Sequence, residues 1–176
     1  MPVHKFIVNG KRVSVDCPDD VRLLWVLRDL LGVHGLKYGC GRTVCYACTS
    51  LINGVAVQMC AVQVGDLHES DEVTTIEGLG DMVCMDLHPL QKAWLEYDVA
   101  QCGYCQPGQI MNALGVISAA HAQGRRVTDA DLDQIRNVCR CGTYFRIREA
   151  IKAGEAAMID EGLLPNHRSR GHEITL

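Results

Sequence analysis

Apolar runs and turn residues alternate along the first half of the chain, and this pattern predicts antiparallel strands. An Asn-Gly dipeptide accepts the positive φ angles of a tight turn and joins the two strands of each predicted hairpin. The hairpins comprise residues 5–8 with 11–15 around Asn9, and residues 51–52 with 55–57 around Asn53. Helical spacing over residues 21–31 predicts a helix, and a further strand is predicted at residues 72–76.

The second half of the chain has a helical pattern. Four segments carry apolar residues at helical intervals: residues 90–100, 107–122, 128–137 and 145–159. Pro107 suits the first turn of a helix, and Thr128 is a natural N-cap residue followed by Asp131. Four such helices joined by short loops predict a bundle.

The change from alternating to helical periodicity predicts two domains in an α+β chain. We place a sheet domain at residues 1–77, a linker at 78–89 and a helical domain at 90–160. Residues 161–176 are polar and are interrupted by glycine and proline, which predicts an extended C-terminal tail.

Composition narrows the possible partners. A net charge of −4 and an aromatic content of 5% offer neither a phosphate-binding surface nor stacking platforms, so nucleic acid is not expected. No stretch approaches the roughly 20 apolar residues of a membrane-spanning helix. The N-terminus lacks a basic segment followed by an apolar run, so we expect a cytoplasmic protein. The alternative is a periplasmic location, reached by co-export on a partner's twin-arginine signal.

The cysteine content is the most informative feature of the composition, with ten cysteines in 176 residues. In a chain without an export signal, this content predicts metal or redox chemistry rather than disulfides. Cys40, Cys45, Cys48 and Cys60 have the spacing of plant-type [2Fe–2S] ferredoxins. Three thiolates can reach two adjacent irons from one short loop, and the fourth arrives after the second hairpin. Zinc sites usually pair their ligands as two short units, which this spacing does not do well.

A second group consists of Cys102, Cys105, Cys139 and Cys141. Its two close pairs lie at predicted helix ends, which an antiparallel bundle would bring together. Taken alone, this group is compatible with a tetrahedral zinc site as well as with iron. Cys17 and Cys84 fit neither group, and we interpret them as structural or incidental.

The segments around the second group are specific enough to indicate a family. Residues 101–108 (QCGYCQPG) and 137–144 (NVCRCGTY) closely resemble the signature of the small iron–sulfur subunit of the xanthine oxidase family of molybdenum hydroxylases. The resemblance extends from about Phe6 to about Lys152 and includes both cysteine groups in the family's order.

This resemblance implies a β-grasp, ferredoxin-like domain followed by a four-helix [2Fe–2S] domain. Electrons would leave a molybdenum–pterin cofactor in a large partner subunit, pass to the cluster of the helical domain and then to the ferredoxin-like cluster. A cytochrome, a flavin subunit or a quinone-linked partner would accept them. Gln101 and Cys141 match positions that approach the pterin. The expected substrate of the complex is an aldehyde or an N-heterocycle, and the chain alone is not expected to turn it over.

The chain departs from the family pattern in the first cysteine loop. Thr43 and Tyr46 stand where the family commonly has glycine, which leaves the conformation of the loop and the exposure of its cluster open. Two other functions also stay open: a freestanding two-cluster ferredoxin, and a structural zinc-binding module. Metal analysis and copurification of a large subunit distinguish these alternatives.

Overall fold

Two β-hairpins begin the fold, as the sequence predicts. A computed structural model describes residues 1–163 of the chain. The hairpins are formed by strands β1 (Val3–Val8) with β2 (Lys11–Asp16), and β3 (Thr49–Ile52) with β4 (Val55–Gln58). Asn9 and Asn53 have φ angles of 48° and 51°, and the glycine after each also has a positive φ. Both Asn-Gly turns therefore have the backbone that a two-residue hairpin loop favours.

One mixed sheet contains both hairpins. Strand β5 (Glu72–Thr74) lies parallel to β1 and antiparallel to β3, which gives the strand order β2-β1-β5-β3-β4. The strand predicted at residues 72–76 is therefore present, but it ends at Thr74. Because β5 joins the two hairpins, the loop that carries the first cysteines is held at a fixed place beside the sheet.

Helix α1 (Leu23–Trp25), which continues as a π-helical turn (Val26–Leu30), packs against one face of the sheet. This core includes side chains from both elements: Phe6, Val8, Leu23, Leu27, Ile52 and Val57. The two-residue period of β3 turns Leu51 to the opposite face, where it belongs to a second core formed mainly by helices. The sheet is therefore packed on both faces along β3.

Among the described residues, five α-helices follow the sheet: α2 (Leu79–Met82), α3 (Pro89–Glu96), α4 (Gln106–Ala122), α5 (Asp129–Leu132) and α6 (Tyr144–Asp160). Helix α4 packs on β3 and β4, and α3 packs along α6. The chain is α+β, as predicted. No helix among the described residues is long and apolar enough to cross a lipid bilayer.

The predicted domain boundaries stay predictions. Helix α2 lies within the predicted linker, and its Leu79 is completely buried in the same core as Leu51 of the sheet and Leu90 of α3. The sheet and the helices therefore share apolar contacts. An extended tail is predicted for residues 161–176, and all of it beyond residue 163 lies outside the described residues.

Helix α5 is much shorter than the sequence predicts. It begins with a capping box, in which Thr128 N donates to Asp131 Oδ2 (2.7 Å) and Asp131 N donates to Thr128 Oγ1 (3.4 Å). It ends at Leu132, and Ile135 N donates to the Leu132 carbonyl in a tighter turn. The helical prediction over residues 133–137 is therefore wrong, because the chain there leaves the helix to reach the second cysteine group.

His88 fixes the start of helix α3 while it is completely buried. Its Nδ1 accepts a hydrogen bond from Leu90 N (3.1 Å), whereas its Nε2 has no hydrogen-bond partner within residues 1–163. Burial, and to a smaller extent the positive charge of Lys92, lowers the pKa of His88 to about 4.

We expect this histidine to make the fold sensitive to acid. In the unfolded chain its pKa is about 6.5, so as the pH falls the unfolded state binds the proton first. Its contribution to the free energy of unfolding is complete above pH 6.5 and is lost between about pH 6.5 and 4, a change of about 3 kcal/mol. His88→Asn keeps a capping acceptor but does not titrate, so its thermal midpoint should vary less over this range. Equal pH profiles in the two proteins would contradict this assignment.

Candidate metal centres

The loop over residues 39–48 carries the first three cysteines and turns repeatedly. Gly41, Thr43 and Tyr46 all have positive φ angles, of 68°, 56° and 58°. Thr43 and Tyr46 thus adopt the left-handed conformation that glycine takes without strain, at a cost of about 1–2 kcal/mol each. The loop therefore has a glycine-like backbone at both positions where this chain departs from the family pattern.

Backbone N–H groups of this loop point at sulfur. Cys40 Sγ accepts hydrogen bonds from Arg42 N (3.4 Å), Val44 N (3.2 Å) and Cys45 N (3.3 Å), and Cys45 Sγ accepts one from Cys40 N (3.3 Å). The backbone of Gly39 also lies close to this sulfur, because a Cβ added at Gly39 would be 2.6 Å from Cys45 Sγ. Burial raises the pKa of Cys40, but these donors outweigh it and the pKa falls to about 7. The loop therefore stabilises a thiolate, the form in which cysteine binds a metal.

Cys48 and Cys60 form the other half of this group. Both side chains are buried, and they interact directly. Cys60 follows strand β4, so the fourth cysteine reaches the loop from outside it, as the sequence predicts. Burial, reinforced by the Cys60 thiol, raises the pKa of Cys48 to about 12. Such a buried pair becomes thiolate beside a cation, which coordinated iron supplies.

The second group gathers where the start of α4 meets the loop before α6. Cys105 is the N-cap residue of α4, with Cys102 just before it, while Cys139 and Cys141 precede α6. Cys105 interacts directly with Cys139, and Cys102 interacts directly with Cys141. The structure therefore brings all four cysteines of this group together as two contacting pairs.

The two buried sulfurs of the second group have different surroundings. Burial, reinforced by Cys139, raises the pKa of Cys105 to about 12. Gln106 Nε2 donates to Cys105 Sγ (3.2 Å), while Gln106 Oε1 accepts from Trp94 Nε1 (2.5 Å). Burial also raises the pKa of Cys139, but hydrogen bonds from the hydroxyl and backbone of Thr143 lower it overall.

All eight sulfurs of the two groups stand in pairs: Cys40 with Cys45, Cys48 with Cys60, Cys102 with Cys141, and Cys105 with Cys139. Within residues 1–163, no three Cys, His, Asp or Glu side chains are grouped as they would be around a single metal ion. Two neighbouring pairs suit a [2Fe–2S] cluster, in which each of two irons takes two thiolates.

The second group lies beside an open, partly apolar surface. A cavity of about 420 Å³ is lined by Asp98, Gln101, Gly142, Thr143 and Phe145, among others. Gln101 is exposed and Cys141 is partly exposed. The side chain of Phe145 is 78% exposed, which is high for a large apolar residue. This side of the helical half therefore has an open cavity with an exposed aromatic side chain in its lining.

Comparisons with known proteins bear directly on these two groups. A 2Fe-2S iron-sulfur cluster binding domain matches residues 6–85, and a second [2Fe-2S] binding domain matches residues 75–152. The alpha chain of isoquinoline 1-oxidoreductase from Brevundimonas diminuta is 44% identical over 158 residues, which are 87% of this chain and 99% of the relative. A nicotinate dehydrogenase subunit from Pseudomonas putida is 39% identical over 150 residues, which are 82% and 89% of the two chains.

The chain belongs to the small iron–sulfur subunits of the xanthine oxidase family. As a member of this family of molybdenum hydroxylases, it is an electron-transfer subunit of a multi-subunit oxidoreductase, with two [2Fe–2S] clusters. The aldehyde oxidoreductase of Desulfovibrio gigas superposes with a TM-score of 0.81 at 32% identity, over 92% of this chain and 18% of that longer chain. The family predicted from the cysteine motifs is confirmed.

Two polar residues near the clusters have no signal in the cysteine spacing. Gln106 contacts the sulfur of Cys105, and Asn137 lies buried between the two cysteine groups. Neither side chain is a usual ligand of iron in this family's motif, so a search for ligands passes over both. Both lie inside the segments that resemble the family's signature, residues 101–108 and 137–144, and this is the sequence feature that could have drawn attention to them.

Removing the Gln106 amide should lower the reduction potential of the second cluster. A hydrogen bond to a ligating sulfur stabilises the additional negative charge of the reduced cluster. In Gln106→Leu we therefore expect a more negative midpoint in a redox titration followed by electron paramagnetic resonance (EPR). Trp94→Phe loses only the contact to Gln106 Oε1 and should give a smaller shift in the same direction. An unchanged midpoint in Gln106→Leu would count against this role.

Proposed function

We propose that this chain passes electrons, one at a time, from a large molybdenum-containing subunit to an acceptor. Cys102, Cys105, Cys139 and Cys141 would ligate the cluster that receives them, and Cys40, Cys45, Cys48 and Cys60 the cluster that delivers them. The observation that carries the proposal is the pairing of all eight thiols, in two groups, within one chain of this family. When bound, each [2Fe–2S] cluster supplies a one-electron redox centre.

The residues of the chain prepare the two sites for this chemistry. The N–H groups around Cys40 and the Thr143 hydroxyl beside Cys139 favour thiolate ligands. Burial of Cys48 and Cys105 keeps water away from one pair in each group. The low local dielectric that results makes the hydrogen bonds to sulfur more effective in setting the potential.

We also propose that Gln101 and Cys141 face the pterin of the molybdenum cofactor in the large subunit. Support comes from their exposure and from the cavity that Gln101 lines. The side chain of Phe145, which is 78% exposed and lines the same cavity as Gln101, would be covered when the large subunit binds this side of the helical half.

The proposed domain organisation follows the sequence prediction. A ferredoxin-like domain would occupy residues 1–77, a linker 78–89, a four-helix [2Fe–2S] domain 90–160 and an extended tail 161–176. Support comes from the two family matches, which overlap only over residues 75–85, near the proposed linker.

The substrate of the complete complex is proposed to be an N-heterocycle or an aldehyde. The relatives are named for isoquinoline, nicotinate and aldehydes. A cytochrome, a flavin subunit or a quinone-linked partner would accept the electrons. We propose a cytoplasmic location, with co-export to the periplasm as the alternative.

Anaerobic purification of the chain with its natural partners tests the proposal. We expect a stoichiometric complex with a molybdenum-containing subunit, iron and sulfide equivalent to two [2Fe–2S] clusters per chain, and two EPR signals after reduction. Two clusters in a protein that persistently purifies as a monomer would indicate a freestanding ferredoxin. Zinc without iron in a colourless protein would indicate a structural module. Substrate oxidation by the isolated chain would also contradict the proposal.

A further inference from the structure

A buried amide lies between the two cysteine groups. Asn137 is two residues before Cys139, and its side chain is 1% exposed. Asn137 Nδ2 donates to the carbonyl of Tyr46 (2.8 Å), and Asn137 Oδ1 accepts from Asn112 Nδ2 (2.8 Å). The backbone carbonyl of Asn137 accepts from Gln109 Nε2 (3.2 Å). The side chain is therefore fixed from helix α4 and directed at the other cysteine group.

The acceptor of this hydrogen bond lies inside the first cysteine loop. Tyr46 directly follows Cys45, and its carbonyl also accepts from Thr49 N (3.2 Å) and Thr49 Oγ1 (2.8 Å). The Thr49 donors belong to the same loop and the strand after it, whereas Asn137 comes from the helical half. The Asn137 amide therefore links the two halves of the chain. The contact lies one residue from Cys45 on one side and two residues from Cys139 on the other.

A second hydrogen bond runs beside the first. Val138 N donates to the carbonyl of Cys45 (3.1 Å). Because Val138 directly precedes Cys139, this single hydrogen bond completes an otherwise covalent route from Cys45 Sγ to Cys139 Sγ. These two sulfurs belong to different groups. The geometry of this contact therefore affects both the separation of the two clusters and the bonded route between them.

We propose that Asn137 is a positioning residue for electron transfer between the clusters. Its amide holds the first loop against the segment that precedes Cys139, and so keeps the Val138–Cys45 hydrogen bond short. Asn137 itself ligates no metal. The inference rests on the proposed function, because it requires two clusters at the two cysteine groups.

Packing of helix α4 on strands β3 and β4 is the competing explanation. That contact already joins the two halves, and it could fix the loops without help from Asn137. The two explanations differ in what happens when the amide is removed. If the helix packing were sufficient, the loops would keep their separation; if Asn137 positions them, they would move apart locally while the fold stays intact.

The test compares Asn137→Ala with Thr49→Val in the purified complex. Thr49→Val removes a hydrogen bond of 2.8 Å to the same Tyr46 carbonyl, but from within the first half. In both variants that carbonyl keeps other donors, so we expect both to fold and to bind their clusters. The measured quantity is the spin–spin splitting between the two reduced clusters in EPR, whose dipolar part falls with the cube of their distance.

We expect a narrower, more heterogeneous splitting in Asn137→Ala and slower electron equilibration between the clusters, with wild-type values in Thr49→Val. Wild-type splitting in Asn137→Ala would overturn the proposal. If Asn137→Ala loses iron, the same splitting is measured in Asn112→Ala. This variant removes the hydrogen bond that holds the Asn137 amide but keeps the amide itself. A narrower splitting in Asn112→Ala supports the proposal, and an unchanged one overturns it. A wild-type complex with fewer than two cluster signals would instead refute the proposed function.

Discussion

Replacing Cys105 by alanine should abolish electron flow through the chain. Cys105 is buried at the start of α4, and its thiol is one of four proposed ligands of the cluster that receives electrons. Loss of a thiolate leaves one iron incompletely ligated, so this cluster should not be retained. We expect Cys105→Ala to lose half of the iron and one of the two EPR signals. Substrate should then reduce neither the remaining cluster nor the external acceptor.

Cys48→Ala removes a proposed ligand of the other cluster, the one that delivers electrons to the acceptor. It should also lose half of the iron, but its remaining cluster should still be reduced by substrate, because in the proposed order the second group receives electrons first. Cys17→Ala is the matched control, since Cys17 and Cys105 are both 5% exposed and Cys17 belongs to neither group. It should keep both signals. Full iron content in either ligand variant would contradict the assignment, and substrate reduction in Cys105→Ala but not in Cys48→Ala would reverse the order of the clusters.

Gly108→Val should force the two cysteine groups apart. Gly108 lies in the first turn of α4 and faces the first loop, so that a Cβ there would be 3.0 Å from the Ala47 carbonyl oxygen and closer still to that of Tyr46. Backbone atoms cannot rotate away as a side chain can, so the helix and the loop must separate. We expect a loss of about 1–3 kcal/mol in stability from this overpacking. Thermal unfolding, followed by the loss of cluster absorbance, measures it.

Ala119→Val is the matched control for this variant. Ala119 is exposed on the same helix, so its replacement introduces the same β-branched side chain without the contact. Its cost should be limited to the helix propensity of valine, below about 1 kcal/mol. Equal thermal midpoints in Gly108→Val and Ala119→Val would show that α4 and the first loop tolerate separation, and would count against a tight junction at Tyr46.

The Tyr46 carbonyl is the point at which several independent features meet. Gly108 allows helix α4 to approach it, Asn137 donates a hydrogen bond to it, and the left-handed φ of Tyr46 (58°) sets the direction of the peptide that contains it. A tyrosine in place of glycine at this position therefore keeps the turn. The departure from the family pattern therefore adds a side chain at the junction, on a backbone with the positive φ that glycine adopts without strain.

Local signals in the sequence were sufficient for most individual elements. The Asn-Gly dipeptides predicted both hairpins because their φ angles suit a two-residue turn, and helices α4 and α6 follow the apolar period closely. Helix α5 was overestimated because its capping signal at Thr128 is strong, whereas its end at Leu132 depends on where the following chain must go. Capping is a local interaction, but the path after Leu132 is set by tertiary contacts.

The sequence by itself determined the chemistry of this protein: two cysteine groups with distinctive spacings, their family and the α+β order of elements. Spacing suffices for the first group, because three of its ligands must be reachable from one short loop. The second group is identified by its resemblance to the family's signature, because its spacing alone is also compatible with zinc. The tertiary structure decided what depends on separate segments meeting, namely the place of β5 between the hairpins, the pairing of sulfurs such as Cys105 with Cys139, and the contact of Asn137 with Tyr46. Asn137 and Tyr46 are 91 residues apart in the sequence. Their contact forms only when both halves have folded, so no local sequence pattern predicts it.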